Sequence, residues 1–141
     1  MLYRLKAAFA MLSIACLAAC PDSTGPTEKL AIDFEFGISR LQTEPAFVLN
    51  PGTGEITIRG YFERPCSPYS AIARAEMTDN HITLHVRGIQ PDACFGAIGS
   101  VGYQAIIRGV PAGTYAVAAA HTDPISDATT LTLLGTQVSV R

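Results

Sequence analysis

The chain predicts an all-β domain, an antiparallel sandwich of about seven strands behind an N-terminal apolar segment, and three features of its 141 residues carry that expectation. Beyond position 29, apolar residues recur at every second place, which puts them on one face of an extended strand. Gly, Pro, Asn and Asp interrupt these runs every ten to fifteen residues or so, the punctuation of an all-β fold. Outside the first twenty residues, no window has the spacing of an amphipathic helix.

Taken in order, Leu30, Ile32, Phe34, Phe36 and Ile38 alternate with Ala31, Asp33, Glu35, Gly37 and Ser39 and make the first strand. Asn50-Pro51-Gly52-Thr53-Gly54 is a turn; after it Ile56, Ile58 and Phe62 face one way and Glu55, Thr57, Arg59 and Tyr61 the other. Tyr69 to Met77 carries small alanines on one face. Asp79-Asn80 ends that run and hands the chain to Ile82, Leu84 and Val86, so strands three and four form a hairpin. Positions 91–99 read as loop around Cys94. Val101, Tyr103, Ala105 and Ile107 form strand five, and Gly109-Val110-Pro111-Ala112-Gly113 turns into Thr114 to His121, a second hairpin. In the last segment Leu131 and Leu133 share a face while Leu134, Val138 and Val140 require the other. An extra residue near Gly135 reconciles them, which predicts a β-bulge there. Seven such strands indicate an immunoglobulin-like or transthyretin-like sandwich.

The N-terminus has a different logic. Arg4 and Lys6 precede an apolar run from Ala7 that ends at Leu17-Ala18-Ala19-Cys20. About a dozen apolar residues are too few to span a bilayer, and the order of charge, apolar stretch and small residues is that of an export signal. Leu17-Ala18-Ala19-Cys20 resembles the lipobox of bacterial lipoproteins. The resemblance implies that residues 1–19 are a signal peptide and that cleavage leaves Cys20 carrying diacylglycerol and an acylated amine. It places residues 20–29 as a tether and 30–141 as the sandwich domain. The competing readings are an ordinary secretory signal cut near Ala18 or Ala19, or an uncleaved anchor. Pro21-Asp22-Ser23-Thr24-Gly25-Pro26-Thr27-Glu28-Lys29 is short and polar, and nine residues extend to about 30 Å. In enteric-type lipoproteins an Asp directly after the Cys retains the protein at the inner membrane. Pro21 stands there instead, so the expected location is the cell envelope, at the outer membrane rather than the inner.

Loss of Arg4 and Lys6 with the signal leaves eight Lys and Arg against twelve Asp and Glu, a formal charge of −4 on the 122 residues from Cys20. There is no basic cluster, so nucleic acid is a poor partner. Of four cysteines, Cys16 departs with the signal and Cys20 is alkylated. In an oxidising compartment the remaining Cys66 and Cys94 point to one disulfide, which in the chain-entropy model is worth roughly 3.5 kcal/mol. A metal or redox pair is the rival, and it lacks the CxxC spacing.

A second resemblance lies in Arg108-Gly109-Val110-Pro111-Ala112-Gly113-Thr114-Tyr115-Ala116-Val117, which is similar to the L-P-x-G-T-Y-x-V turn and strand of prealbumin-like and carboxypeptidase-regulatory-like modules. Gly113 suits a left-handed position, Pro111 fixes φ before it, and Tyr115 and Val117 start a strand. The motif is structural and brings no catalytic residue.

Candidate chemistry is sparse. His81 and His85 fall on one face of a strand, opposite Ile82, Leu84 and Val86, about 13 Å apart. They cannot share an ion without His121 or a carboxylate reaching between them. No serine sits in a G-x-S-x-G context. Asp92, Asp123 and Asp127 occupy loops without the D-x-D spacing of a calcium site. We therefore assign no catalytic, cofactor or metal residue. The stretch Tyr61-Phe62-Glu63-Arg64-Pro65-Cys66-Ser67-Pro68-Tyr69 combines aromatics, arginine and prolines, and Tyr61, Arg64 and Tyr69 are the candidate binding residues. Core and crossover roles compete for the same side chains. The expectation is a non-enzymatic interaction or structural module held at a membrane by its lipid, with an unidentified protein or small-molecule partner. The alternative is an envelope protein that binds a small ligand or metal ion.

Overall fold

The computed structural model describes residues 25–38, 47–64, 70–89, 92–93, 99–123 and 126–141. The expected signal segment, residues 1–19, together with Cys20, Cys66, Tyr69 and Cys94, lies outside the described residues. The described residues form eight strands: β1 (Glu28–Ile38), β2 (Phe47–Pro51), β3 (Glu55–Arg64), β4 (Ser70–Thr78), β5 (His81–Ile89), β6 (Gly99–Arg108), β7 (Gly113–Thr122) and β8 (Thr129–Val140). They follow the order β2-β3-β6-β1-β4-β5-β7-β8 in one mixed sheet that curls into a nearly closed barrel. All neighbours are antiparallel except β5 and β7, which run parallel.

The all-β expectation holds, but the two separate sheets of a sandwich do not. β1 pairs with β4 through Glu28, Lys29 and Leu30 and with β6 from Ala31 onward, so one strand joins what would otherwise be two sheets. Each strand still buries one face, and that is all the period-two pattern reports. A barrel and a sandwich demand the same alternation.

Two further expectations need correction. Asn50 and Pro51, expected in a turn, belong to β2; the turn itself is Gly52 to Gly54, with Gly54 at φ 66°. The segment after β6 is no hairpin, because β6 pairs with β1 and β3 whereas β7 pairs with β5 and β8. Gly109 to Ala112 instead arches across the barrel. Val110 is buried in the arch and its N–H donates to the Gly54 carbonyl at 3.1 Å, while the Tyr115 hydroxyl donates to the Pro111 carbonyl at 2.9 Å. These bonds hold the backbone where no neighbouring strand can. The left-handed residue of this segment is Gly109, at φ 75°, and not Gly113.

Other expectations stand. Thr78 pairs with His81 across Asp79-Asn80, and Asp79 takes φ 53° to make the tight reversal. In β8 the register passes from Val117↔Thr136 to Ala119↔Leu133, so Leu134 and Gly135 together oppose Ala118. That is the expected bulge, with Gly135 at φ 61°.

The core is the barrel lumen. Ile56 and Ile58 from β3, Ala105 and Ile107 from β6, Ile82 and Leu84 from β5, and Val117 and Ala119 from β7 are fully or almost fully buried there. Inward residues of β1 (Ile32, Phe34, Phe36) and β4 (Ala71, Ala73, Met77) pack against them while keeping partial exposure. One end of the barrel is laced shut. The Gly54 N–H donates to the Arg141 carbonyl at 3.0 Å, and the Ala116 N–H donates to the Asn80 carbonyl at 2.8 Å. The chain enters at this end, where Thr27 Oγ1 meets Thr78 Oγ1 at 3.1 Å. β1 begins at Glu28, two residues before the expected start of the domain at Leu30.

Candidate functional site

Two arrangements of polar side chains stand out among the described residues, one inside the barrel and one outside. The inner one pairs Tyr103 of β6 with His121 of β7, both on inward positions of their strands. The phenol oxygen lies 2.9 Å from His121 Nε2, and the rings meet edge to face with centroids 5.4 Å apart. Phe34 packs on Tyr103 at 5.8 Å and Phe47 on His121 at 6.0 Å. Gly60 faces the same pair, and a methyl group there would run into the Tyr103 phenol and the Phe47 ring. Burial pushes the Tyr103 hydroxyl up and the His121 imidazole down to about 4, because both charged forms lose hydration in this apolar setting. The hydrogen bond and ring contacts tie β6 to β7 across the lumen.

The outer arrangement lies on β4, β5 and β7. Strand register sets Ile72 beside Arg87 and Arg87 beside Thr122, with Arg74 beside His85 in the adjacent rung. Together with Ala73 these residues line a shallow cleft of about 170 Å³. Ile72 is 56% exposed and Ile89, diagonally across from it, 43%; they are the exposed large apolar residues of the described chain. Arg87 Nη2 contacts Asp127 Oδ1 at 2.8 Å, Arg74 Nε contacts Glu76 Oε1 at 3.4 Å, and His85 Nε2 lies 3.5 Å from Glu76 Oε2.

The residues singled out from the sequence fall as follows. His81 and His85 share the outward face, and His121, turned into the lumen, does not join them. Among the described residues no group of three His, Cys, Asp or Glu could hold a metal ion. Asp123 Oδ1 accepts from the Ser126 N–H at 2.7 Å and from its hydroxyl at 3.0 Å, which shapes the β7–β8 turn. Asp127 pairs with Arg87, and Asp92 is exposed. Tyr61 lays its ring over Gly102 on the outer face, where a methyl group on that glycine would meet it. Arg64 ends β3 opposite Gly99, so Cys66 and Cys94 follow and precede strand ends that are direct neighbours. Elsewhere on the outside Arg108 bridges Asp33 and Glu55, at 2.8 Å each, and the bond to Asp33 holds its guanidinium above the ordinary arginine value. No helix among the described residues is long and apolar enough to cross a membrane.

Sequence reasoning missed the outer cleft. Its signal was Ile72, an apolar residue out of phase with Ala71, Ala73 and Ala75, but only the pairing of β4 with β5 shows which cations flank it. No protein-family model, curated protein sequence or solved structure matches this chain.

Proposed function

We propose that this chain is a lipid-anchored protein of the bacterial cell envelope whose barrel acts by binding rather than by catalysis. The observation that carries the proposal is Leu17-Ala18-Ala19-Cys20 behind Arg4, Lys6 and a short apolar run. Signal removal exposes Cys20 for acylation, and several acyl chains at roughly 0.8 kcal/mol per buried CH₂ make attachment effectively permanent. Pro21 after the cysteine favours the outer membrane. The entry of β1 at the laced end of the barrel supports a definite orientation. In that orientation this end lies toward the membrane, and the C-terminal ends of β1, β3, β5 and β7 lie away from it. Neighbouring strand ends at Arg64 and Gly99 suit a Cys66–Cys94 disulfide. The side chains found together on the outer surface are ion pairs and exposed apolar groups, the materials of recognition.

The test is intact mass spectrometry of the protein from a bacterial membrane fraction beside a Cys20→Ser variant. The proposal expects loss of residues 1–19 and gain of acyl mass in the first alone, with two hydrogens added on reduction. Unmodified mass at Cys20 would sink the anchor.

A second reading, a small-ligand protein, draws on the cleft beside Ile72, Arg74 and Arg87.

A further inference from the structure

We infer that the outer cleft on β4, β5 and β7 is a binding site for a small organic oxyanion, a carboxylate or phosphate carried on an apolar body. The inference deepens the small-ligand reading and is independent of whether Cys20 is acylated. Arg74, Arg87, His85 and Thr122 bring two guanidinium groups, an imidazole and a hydroxyl to one concavity, with Ile72 beside them. Two carboxylates stand beside these donors, Glu76 at Arg74 and His85, and Asp127 at Arg87.

The donors are only partly used. Arg87 reaches Asp127 through Nη2 and Arg74 reaches Glu76 through Nε, which leaves further N–H groups of each guanidinium for a ligand. Arg87 and Asp127 are 57% and 70% exposed, and such exposed pairs are weak enough to exchange for another anion. A guanidinium prefers the planar, two-oxygen edge of a carboxylate or phosphate. Ile72, 56% exposed at the same spot, gives the ligand's apolar part a surface that is otherwise left to water.

Size limits the class. A cleft of about 170 Å³ is below the usual range of pockets that enclose a cofactor. An oxyanion with a ring or short branched chain fits such a cleft. Asp127 competes with the ligand for Arg87, so removing its charge must strengthen binding.

The experiment is calorimetric titration of the full chain with sodium benzoate and, separately, with inorganic phosphate at low ionic strength, followed by NMR of the histidine rings. Saturable benzoate binding is expected, weaker by on the order of tenfold in Arg74→Gln/Arg87→Gln and several-fold tighter in Asp127→Asn, with the His85 signals moving. Phosphate should compete with benzoate and bind more weakly. The absence of saturable binding by either probe would overturn the site, as would unchanged affinity in the arginine variant or weaker affinity in Asp127→Asn. Phosphate binding as tight as benzoate would overturn the apolar half of the inference. Mass spectrometry of Cys20 bears on none of these outcomes, so the anchor and the cleft fail separately.

Discussion

Replacing His121 with Gln should remove a defined part of the protein's acid sensitivity. His121 sits among Tyr103, Phe47 and the lumen residues, and burial lowers its imidazole from 6.5 to about 4. The unfolded chain takes up the proton near 6.5 and the folded chain only near 4, so between these values the unfolded state binds more protons. The contribution is fully present above 6.5 and is lost as pH falls through 4. Relative to pH 7, the loss works out at about 1 kcal/mol by pH 5.5 and about 3 kcal/mol by pH 4, from 1.36 kcal/mol per pKa unit. Partial exposure of the ring makes these ceilings. The hydrogen bond to Tyr103 does not change the sign, because an imidazolium could still donate to the phenol oxygen. The assay is urea unfolding of wild type and His121→Gln at pH 7, 5.5 and 4. Carboxylates titrate in both proteins, so the difference between them isolates His121, and glutamine can keep a bond to Tyr103. A difference in unfolding free energy that stays constant across the three pH values would refute the reasoning.

Gly60→Ala should cost about 1–3 kcal/mol at pH 7, because the new methyl group meets the Tyr103 phenol and the Phe47 ring in a filled lumen; urea midpoints measure it. Gly135→Ala has nothing within 4 Å to crowd it, so its cost is that of holding a left-handed backbone at φ 61°, roughly 1–2 kcal/mol by the same measurement. Tyr115→Phe removes the hydroxyl that donates to Pro111 and should lower stability by about 1 kcal/mol in a thermal melt, with the circular dichroism spectrum unchanged.

What the sequence disclosed was the one-dimensional part of the fold. Alternation placed Ile56, Ile58, Ile82, Leu84 and Val117 on buried faces, and all are buried. The conflict of phase around Gly135 located a bulge because an extra residue is the way one strand serves two phases. Pairing was another matter. Gly109 to Gly113 has the composition of a hairpin turn, yet it joins strands that do not pair with each other, and one of the bonds that hold it as an arch runs from Val110 to the Gly54 carbonyl, far away in sequence. β2 is five residues long, and Asn50-Pro51 reads as turn chemistry; Pro is tolerated there because β2 is an edge strand. His121 illustrates the same limit for chemistry. Its inward phase was visible beside Tyr115 and Val117, but its partner Tyr103 is eighteen residues earlier and becomes a neighbour only through barrel closure.

The placement of the exposed apolar side chains separates two explanations for them. An apolar patch that rests on lipid should lie where the chain meets its tether. Ile89 stands at the far end of β5 from His81, eight residues and about 26 Å along the strand, while the chain enters beside Thr78 at the near end. With Cys20 acylated, at most the four residues 21–24 separate it from the docked segment, a reach of about 13 Å. The barrel then stands close above the head groups with Ile72 and Ile89 toward the far side. Contact with lipid does not account for these residues in that orientation, whereas a soluble ligand or partner approaching from the aqueous side does. The two proposals meet at this point. An anchor at Cys20 would set the Thr78 end toward the membrane, and that orientation would leave the cleft beside Arg74 and Arg87 open to solution.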